Sequence, residues 1–254
     1  MSINITIMGF LIGCLVGMTG VGGAALLTPI LILLGINPII AVGTDLVYNS
    51  ITKLFGTIQH FRNKTINYQL VIYLAIGSVP SATMAIVFLN LLNNTYEIKD
   101  QIIKNSLGYV LIVVALATLF KTFFYSEKHT KNLKDKSIVE KRVLTIIIGA
   151  ILGFIVGLTS IGSGSLFALA MMFLYRLNTA ELVGTDIAHA FVLVTVAGIL
   201  NAGIGNVDYW LVANLLLGSV PGVLIGSNLS IKFPDKPLRV FVSFIILISG
   251  IKLI

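Results

Sequence analysis

Residues 13–23 read GCLVGMTGVGG and residues 153–165 read GFIVGLTSIGSGS, so two dense clusters of small residues interrupt the chain. Each cluster lies inside an apolar segment, residues 5–35 and 143–175. Such a segment is too long for one spanning helix and too short for two, because two crossings need about 40 residues. We therefore predict that each segment is a discontinuous helix or a re-entrant hairpin. Breaks of this kind persist in lipid where they line a buried site, since their free backbone groups find no water.

The composition places the rest of the chain in a membrane as well. Of the 254 residues, 57% are hydrophobic and 11% are charged, whereas a soluble domain carries about a quarter charged residues. Six further apolar runs can each cross a hydrocarbon core of about 30 Å as a helix: residues 40–61, 67–92, 103–125, 182–204, 208–231 and 237–254. The sequence therefore predicts an all-α, polytopic helical membrane protein in contact with the lipid bilayer.

The two halves of the chain repeat each other at an offset of 140 residues, which becomes 141 after one insertion. The matched pairs are Gly13 with Gly153, Gly17 with Gly157, Thr19 with Thr159, Gly22 with Gly162, residues 42–45 with 183–186, 67–68 with 208–209, and 77–80 with 218–221. A collinear series of this kind indicates a duplicated unit. We predict a first transmembrane repeat at residues 1–125, a basic cytoplasmic linker at 126–142 and a second repeat at 143–254.

The distribution of positive charge predicts that the two repeats are inverted. Seven of the 17 basic residues lie between residues 121 and 142, and cytoplasmic loops carry the excess of lysine and arginine, so nucleic-acid binding is not needed to explain the net charge of +7. The break at 60–64 is basic, whereas its match at 205–208 has no lysine or arginine and the next break, 232–239, has three. These signs fit inverted repeats, each with a discontinuous hairpin plus three spanning helices, and with both termini outside.

The helix breaks are the first candidate binding site. Exposed amide groups and the positive ends of the second half-helices would attract an anion near the middle of the bilayer. The alternative is that the glycines only allow close helix packing, an explanation that suits Gly13, Gly17, Gly153 and Gly157. The candidate binding residues are Thr19, Gly20, Gly22, Gly23, Thr159, Ser160, Gly162 and Ser163.

Polar residues inside two predicted spans form the second candidate site. A carboxylate at membrane depth is costly and normally faces a cavity or a partner. Asp45, Asn49 and Lys53 follow one another at four-residue intervals on one helix face, and Lys53 is a basic residue that lies well inside a predicted span, away from its ends. Its match in the second half is Val194. The aspartates either line the cavity or cap their helices. The candidates are Thr44, Asp45, Asn49, Lys53, Thr185, Asp186 and His189.

These motifs together resemble a known transporter family. Gly13, Gly17, Gly20, Gly22 and Gly23, followed by Pro29 and by Ala41-Val42-Gly43-Thr44, with a weaker second copy, resemble the TauE/SafE sulfite exporter family, also called the toluene-sulfonate uptake permease family. The stretch 42–46 with Thr52, Lys53, Gly56 and His60, and then 184–190, is similar to one bacterial branch, from which the chain departs at Asn201, the match of His60. The resemblance implies a multi-pass transporter of the bacterial plasma (inner) membrane. Its expected substrates are small sulfur-containing anions such as sulfite, sulfoacetate or other organosulfonates.

Transport by alternating access, with the site at the interface of the repeats, is the function predicted here. An anion channel is the first alternative, and an intramembrane aspartyl enzyme using Asp45 and Asp186 is a weaker one. We do not expect an enzyme or a cofactor, because the sequence has no nucleotide-binding loop, metal cluster or nucleophile triad, and its single cysteine is Cys14. The expected partners are a small anionic substrate and lipid, without nucleic acid, and assembly into a homo-oligomer stays open.

Overall fold

A computed structural model describes residues 3–19, 24–91, 96–124, 138–230 and 235–254, and these ranges contain helices and no strand. The first half forms α1 (Ile3–Thr19), α2 (Ala24–Leu33), α3 (Pro38–Arg62), α4 (Tyr68–Leu91) and α5 (Tyr96–Phe124). The second half forms α6 (Arg142–Thr159), α7 (Leu166–Leu174), α8 (Thr179–Ile204), α9 (Tyr209–Ser230) and α10 (Asp235–Leu253). The order of long and short helices is the same in both halves. Most of the predicted linker, residues 126–137, lies outside the described residues.

The helix breaks occur where the small-residue clusters predict them. In the second half, α6 ends at Thr159, turns occupy residues 161–165, and α7 begins at Leu166. In the first half, α1 ends at Thr19 and α2 begins at Ala24, while Gly20, Gly22 and Gly23 lie outside the described residues. The two arms of each hairpin are unequal, because α6 has 18 residues and α7 has 9, or about 27 Å and 14 Å of helix. An upright helix of about 27 Å that starts at the membrane surface would carry the break past the middle of a hydrocarbon core of about 30 Å.

Small residues bring helices of opposite halves into backbone contact. Gly149, Gly153 and Gly157 of α6 face the backbone of Leu74, Ser78 and Ala82 of α4, and a Cβ on Gly153 would lie 2.4 Å from the Ser78 Cα. Gly13 of α1 faces Ser219 of α9 in the same way, since a Cβ on Gly13 would lie 2.5 Å from the Ser219 carbonyl oxygen. Residue numbers rise together along both pairs, so α4 lies parallel to α6 and α1 lies parallel to α9. The packing explanation thus accounts for Gly13, Gly153 and Gly157.

The two central helices, α3 and α8, occupy equivalent positions in the halves and cross the molecule antiparallel. Gly43, near the start of α3, lies beside Asn201 of α8 and beside Asn206, just after the end of α8. At the other end of the pair, Gly56 lies beside Ile187 and His60 lies beside Gly184. Both helices begin with an asparagine cap, since Asn37 Oδ1 accepts from the Ile39 amide and Asn178 Oδ1 accepts from the Glu181 amide. The same side-chain cap therefore starts each helix of the pair.

The outside of the bundle is apolar, as a lipid environment requires. Large side chains such as Phe55, Ile72, Phe88, Phe154, Ile199 and Phe244 are exposed. In the part of the chain that the structure describes, five helices are long and apolar enough to cross a membrane: Tyr68–Leu91, Ile98–Phe120, Arg142–Thr159, Thr179–Ile204 and Tyr209–Gly226. The short arms lie inside the bundle, with Leu26, Leu27 and Leu31 of α2 and Phe167 and Met171 of α7 at most 2% exposed. The chain is therefore a multi-pass membrane protein with buried half-helices.

Candidate functional site

The polar face of α3 points into the bundle, as its four-residue spacing predicts. Asp45 and Asn49 are buried, at 0% and 3% exposure, and Lys53, two turns beyond Asp45, is half-buried. Asn49 Nδ2 donates to the Asp45 side-chain oxygen Oδ1 at 2.8 Å and to the Asp45 carbonyl oxygen at 2.9 Å. These residues form a polar column along the axis of α3 inside an otherwise apolar bundle.

The Asp45 carboxyl group joins α2 and the end of α6 to α3. Thr28 Oγ1 of α2 donates to Asp45 Oδ2 at 2.8 Å, and Ser160 Oγ, at the end of α6, lies 2.5 Å from the same oxygen. The two hydroxyl oxygens are also 2.9 Å from each other. All three residues are at most 1% exposed. We call Asp45, Thr28 and Ser160 the hydroxyl–carboxyl triangle, and it is a direct contact between the two halves.

Ser160 reaches this position through an unusual backbone conformation. It caps the carboxyl end of α6 with φ 59° and ψ −17°, and its amide donates to the Val156 carbonyl. A left-handed conformation costs about 1–2 kcal/mol for a residue with a side chain, and its match in the first half is Gly20. Strain of this kind collects at functional positions. Here the left-handed backbone orients the Ser160 hydroxyl toward Asp45, and glycine has no side chain to do this.

Lys53 meets the second helix break and the second aspartate. A Cβ placed on Gly164 would lie 3.2 Å from Lys53 Nζ and 3.6 Å from the Asp186 side-chain oxygen Oδ2. The ammonium group interacts electrostatically with both Asp186 and Asp45. Asp186 is 6% exposed and Ser163, in the same break, is 1% exposed. One lysine from the first half therefore lies among carboxylates from both halves, beside a glycine that leaves room at the amine.

His189 lies on α8 one turn beyond Asp186 and contacts α4 and α7. Its ring nitrogen Nε2 is 2.9 Å from the Ser78 hydroxyl oxygen, and its ring centroid is 4.3 Å from that of Phe167. His189 is fully buried. This side chain stands at the edge of the polar column and holds α4 and α7 against α8.

Thr44 and Thr185 form equivalent bonds to the loops of the opposite half. Thr44 Oγ1 accepts from the backbone amide of Asp208 at 3.1 Å, and Thr185 Oγ1 accepts from that of Asn67 at 3.0 Å. Both hydroxyl groups thus face the beginnings of α9 and α4, away from Lys53. Their substrate-binding role stays a prediction, and the structure adds a clear role in joining the halves.

Of the remaining candidate residues in the helix breaks, those of the second half are described by the structure and most of those of the first half are not. Thr159 Oγ1 donates to the Ile155 carbonyl and accepts from the Ile161 amide at 3.3 Å, so it stabilises the turn after α6. Gly162 has φ +98°, a conformation that glycine adopts without the cost of a side chain. Gly20, Gly22, Gly23 and the side chain of Thr19 lie outside the described residues, and their predicted role stays a prediction.

A cavity of about 190 Å³ lies beside the start of α3 and the end of α8. Its polar wall comes from Asn90, Lys99, Asn201 and Asn206, and its apolar wall includes Ile39, Val42, Ile86, Ile103 and Gly157. Val42 precedes Asp45 by one turn and Gly157 precedes Ser160 by one turn, so the cavity ends beside the hydroxyl–carboxyl triangle. The order along α3 is therefore cavity, triangle, Asn49 and Lys53.

Sequence reasoning missed four residues of this region. Thr28 is the single hydroxyl residue within residues 24–33, and a lone polar group in an apolar half-helix could have marked it. Ser78 belongs to the repeated Gly-Ser-Val-Pro motif, and Gly164 to the second small-residue cluster. Lys99 lies in the loop predicted between the apolar runs 67–92 and 103–125, and nothing in its sequence context indicates a cavity.

Comparison with known proteins finds relatives among membrane transporters. The family model described as sulfite exporter TauE/SafE matches residues 5–253. The chain is 60% identical to the probable membrane transporter protein YjnA of Bacillus subtilis (strain 168), over the full length of both proteins. It is 26% identical to the probable membrane transporter protein YdhB of the same organism, over 98% of this chain and 99% of that one. It is also 26% identical to the probable membrane transporter protein MJ0441 of Methanocaldococcus jannaschii, over 96% and 92%. No solved structure gives a significant match.

Proposed function

The chain belongs to the sulfite exporter TauE/SafE family and is a membrane transporter, and from this premise we propose that it carries small sulfur-containing anions. Sulfite, sulfoacetate and other organosulfonates are the proposed substrates, and the plasma membrane is the proposed location. The observation that supports this most directly is the placement of Lys53 Nζ beside Gly164, which follows the buried Ser163 in the second helix break. An oxyanion needs a cation and several hydrogen-bond donors in a small space, and a lysine at a serine-rich helix break suits that need.

The chemistry of the Lys53 region suits a sulfonate or sulfite group. An ammonium group supplies three donors to oxygen atoms of an anion, and the glycine beside it leaves its amine uncovered by a side chain. Backbone amide groups at the start of α7 add further donors with a favourable dipole. Asp186, 3.6 Å from the same Gly164 position, would orient the amine and limit the charge that the site can bind.

Alternating access between inverted halves is the proposed mechanism. The antiparallel packing of α3 and α8 supports inversion, because these helices are equivalent in the duplicated halves. The reciprocal pairs α1–α9 and α4–α6 support a pseudo-two-fold relation as well, since each joins the first helix of one half to the fourth helix of the other. Rocking of such halves about a site between them would expose Lys53 to each side in turn.

Counterflow in liposomes tests this function. Liposomes that contain the purified full chain and unlabelled sulfoacetate should accumulate labelled sulfoacetate transiently, and Lys53→Gln should strongly reduce this accumulation at low sulfoacetate concentration. Lys252→Gln is the matched control, because Lys252 is an exposed lysine in the last turn of α10. A channel would conduct the anion without counterflow, and lack of transport of sulfite, sulfoacetate and simple sulfonates would reject the proposal.

A further inference from the structure

We propose that Asp45 binds and releases a proton during transport, so that proton movement is coupled to movement of the anion. The inference rests on the proposed function, because it assigns the coupling ion of the same transport cycle. It starts from the hydroxyl–carboxyl triangle, whose three oxygens are 2.5, 2.8 and 2.9 Å apart. Each of these three contacts is short enough for a hydrogen bond.

Counting hydrogens separates the two states of Asp45. An ionised carboxylate only accepts, and each hydroxyl carries one hydrogen, so the ionised triangle has two hydrogens for three contacts. One pair of oxygens would then approach closely with no hydrogen between them. A proton on Asp45 Oδ2 provides the third hydrogen, since Asp45 can donate to Ser160, Ser160 to Thr28, and Thr28 back to Asp45. The protonated form therefore satisfies every contact in this buried triangle.

The second oxygen of the carboxyl group fits the same state. Asp45 Oδ1 accepts from Asn49 Nδ2 at 2.8 Å, as the carbonyl oxygen of a neutral carboxylic acid would. Asp45 thus has one oxygen placed to accept and the other placed to carry a hydrogen. A sodium or other metal ion does not fit between the triangle oxygens, because oxygens in mutual hydrogen-bond contact leave no room for it.

The surroundings of Asp45 contain few charged groups within the described part of the chain. The α2 helix supplies Thr28 and has no titratable side chain, and residues 160–165 supply serine hydroxyls only. The titratable neighbours on α3 are Tyr48 and Lys53, and those on α8 are Asp186 and His189. Lys99 of α5 lines the cavity, whose wall includes Val42, one turn before Asp45. Among the described residues, Asp186 is the carboxyl group that accompanies Asp45 in this column, and both interact electrostatically with Lys53.

The cavity gives the proton a path to Asp45. It reaches Val42 and Gly157, each one turn from a member of the triangle, so water in the cavity would stand next to the carboxyl group when the triangle opens. Lys53 lies eight residues beyond Asp45 along α3, or about 12 Å at 1.5 Å per residue. The proton site is therefore between the cavity and the proposed anion site.

This order predicts the direction of coupling. With both aspartates ionised, Asp45, Lys53 and Asp186 carry a net charge of −1, which repels an anion. Protonation of Asp45 makes the set neutral, so the proton and the anion favour each other's binding by the same factor. They should therefore move through the protein in the same direction, the proton forming an O–H bond with Asp45 on one side and leaving to water on the other.

Liposomes with a trapped pH indicator test the coupling. The probe is methanesulfonate, which carries no titratable proton near neutral pH, with the membrane potential clamped and with choline in place of sodium. An inward methanesulfonate gradient should acidify the interior, and Asp45→Asn should lose about tenfold or more of the proton flux for each methanesulfonate transported. Asparagine keeps a neutral, hydrogen-bonding side chain in the triangle, so this variant separates exchange from coupling.

Each outcome has a separate meaning. Methanesulfonate uptake without acidification, or uptake that requires sodium, would overturn the proton proposal and leave the proposed function standing. Absence of uptake of every sulfonate would instead count against the proposed function, and infrared difference spectra then decide the proton site. When the pH is raised, a carboxylic-acid carbonyl band should change in wild type and in Asp186→Asn but be missing in Asp45→Asn. Identical spectra in wild type and Asp45→Asn would overturn the assignment.

Discussion

Thr185 Oγ1 accepts a hydrogen bond from the backbone amide of Asn67, across 118 residues of sequence, and so joins α8 to the start of α4. Thr44 accepts equivalently from Asp208 at the start of α9. The free amides at the start of a helix need acceptors, and here the acceptor comes from the other half. The two halves thus complete each other's helices.

Replacement of these threonines by valine should therefore weaken the fold. We expect Thr185→Val and Thr44→Val each to cost about 1 kcal/mol, as the loss of a helix cap does, and the two effects to add because the sites are distant. The midpoint of thermal unfolding in detergent measures this. Thr122→Val is the matched control, since Thr122 Oγ1 bonds the Thr118 carbonyl within its own helix. An equal shift of the unfolding midpoint in the control would show that the bonds between the halves stabilise the fold no more than a bond within one helix.

The conformation of Ser160 allows a test of its hydroxyl against its backbone. Ser160→Gly removes the hydroxyl and relieves the left-handed strain, whereas Ser160→Ala removes the hydroxyl and keeps the strain. Ser160→Ala should therefore be less stable than Ser160→Gly by about 1 kcal/mol. Unfolding midpoints of both variants, measured side by side, give the difference. If alanine proved as stable as glycine, the backbone at this position could not be left-handed in the folded protein.

Two glycines of the second half should respond differently to the same small change. At Gly153, a Cβ would lie 2.4 Å from the Ser78 backbone, so Gly153→Ala should push α6 from α4 and reduce the yield of folded protein. At Gly164 the nearest atom is Lys53 Nζ, 3.2 Å away, and this flexible chain end can move. Gly164→Ala should fold normally and weaken sulfoacetate affinity, which counterflow at graded concentrations would measure. Normal affinity in Gly164→Ala would remove Gly164 from the anion site.

Charge at Lys53 should matter for affinity rather than for helix packing. We expect Lys53→Gln to raise the apparent Kd for sulfoacetate by about tenfold or more, a loss typical of a charged hydrogen bond, with the folded yield maintained. Counterflow at several substrate concentrations and size-exclusion profiles measure the two quantities. If Lys53→Gln were instead unfolded and Lys53→Gln combined with Asp186→Asn restored it, the lysine would be a structural ion partner.

Matched cysteines can test the inverted arrangement directly. Arg62 and Gly203 are equivalent positions near the ends of α3 and α8, and both are exposed. In a Cys14→Ser background, Arg62→Cys should be protected from an impermeant thiol reagent added outside intact cells, while Gly203→Cys should react. Reaction of both positions from the same side would contradict inverted halves, although it would leave the family assignment untouched.

Much of the fold follows from local signals in the sequence. The small-residue clusters mark where α6 ends and α7 begins, because glycine and serine disfavour helix continuation there. The offset of 141 residues makes Asn37 and Asn178 equivalent caps, and the structure has both. The lengths of the arms were harder to predict, since α6 continues to Thr159 through glycines whose close packing on α4 outweighs their low helix propensity.

The site was less predictable because its contacts join distant segments. Asp45, Asn49 and Lys53 share a face of one helix, which four-residue spacing alone indicates. The bond between Ser160 and Asp45 spans 115 residues, and no periodicity in the chain specifies it. Thr44 lies next to Asp45 in sequence, yet its hydroxyl accepts from the Asp208 amide and not from the triangle, because neighbouring helix residues point about 100° apart.

The reciprocal packing of α1 on α9 and α4 on α6 has an evolutionary consequence. A single repeat would leave its glycine ridge facing lipid, so it could bury that ridge only against a second copy of itself. A one-repeat ancestor would therefore have functioned as a homodimer, with every side chain present twice. Gene fusion removes that constraint. A homodimer could not keep a lysine in one copy and a valine at the matching position of the other, as this chain does at Lys53 and Val194, so the single chain allows one cation to serve two carboxylates.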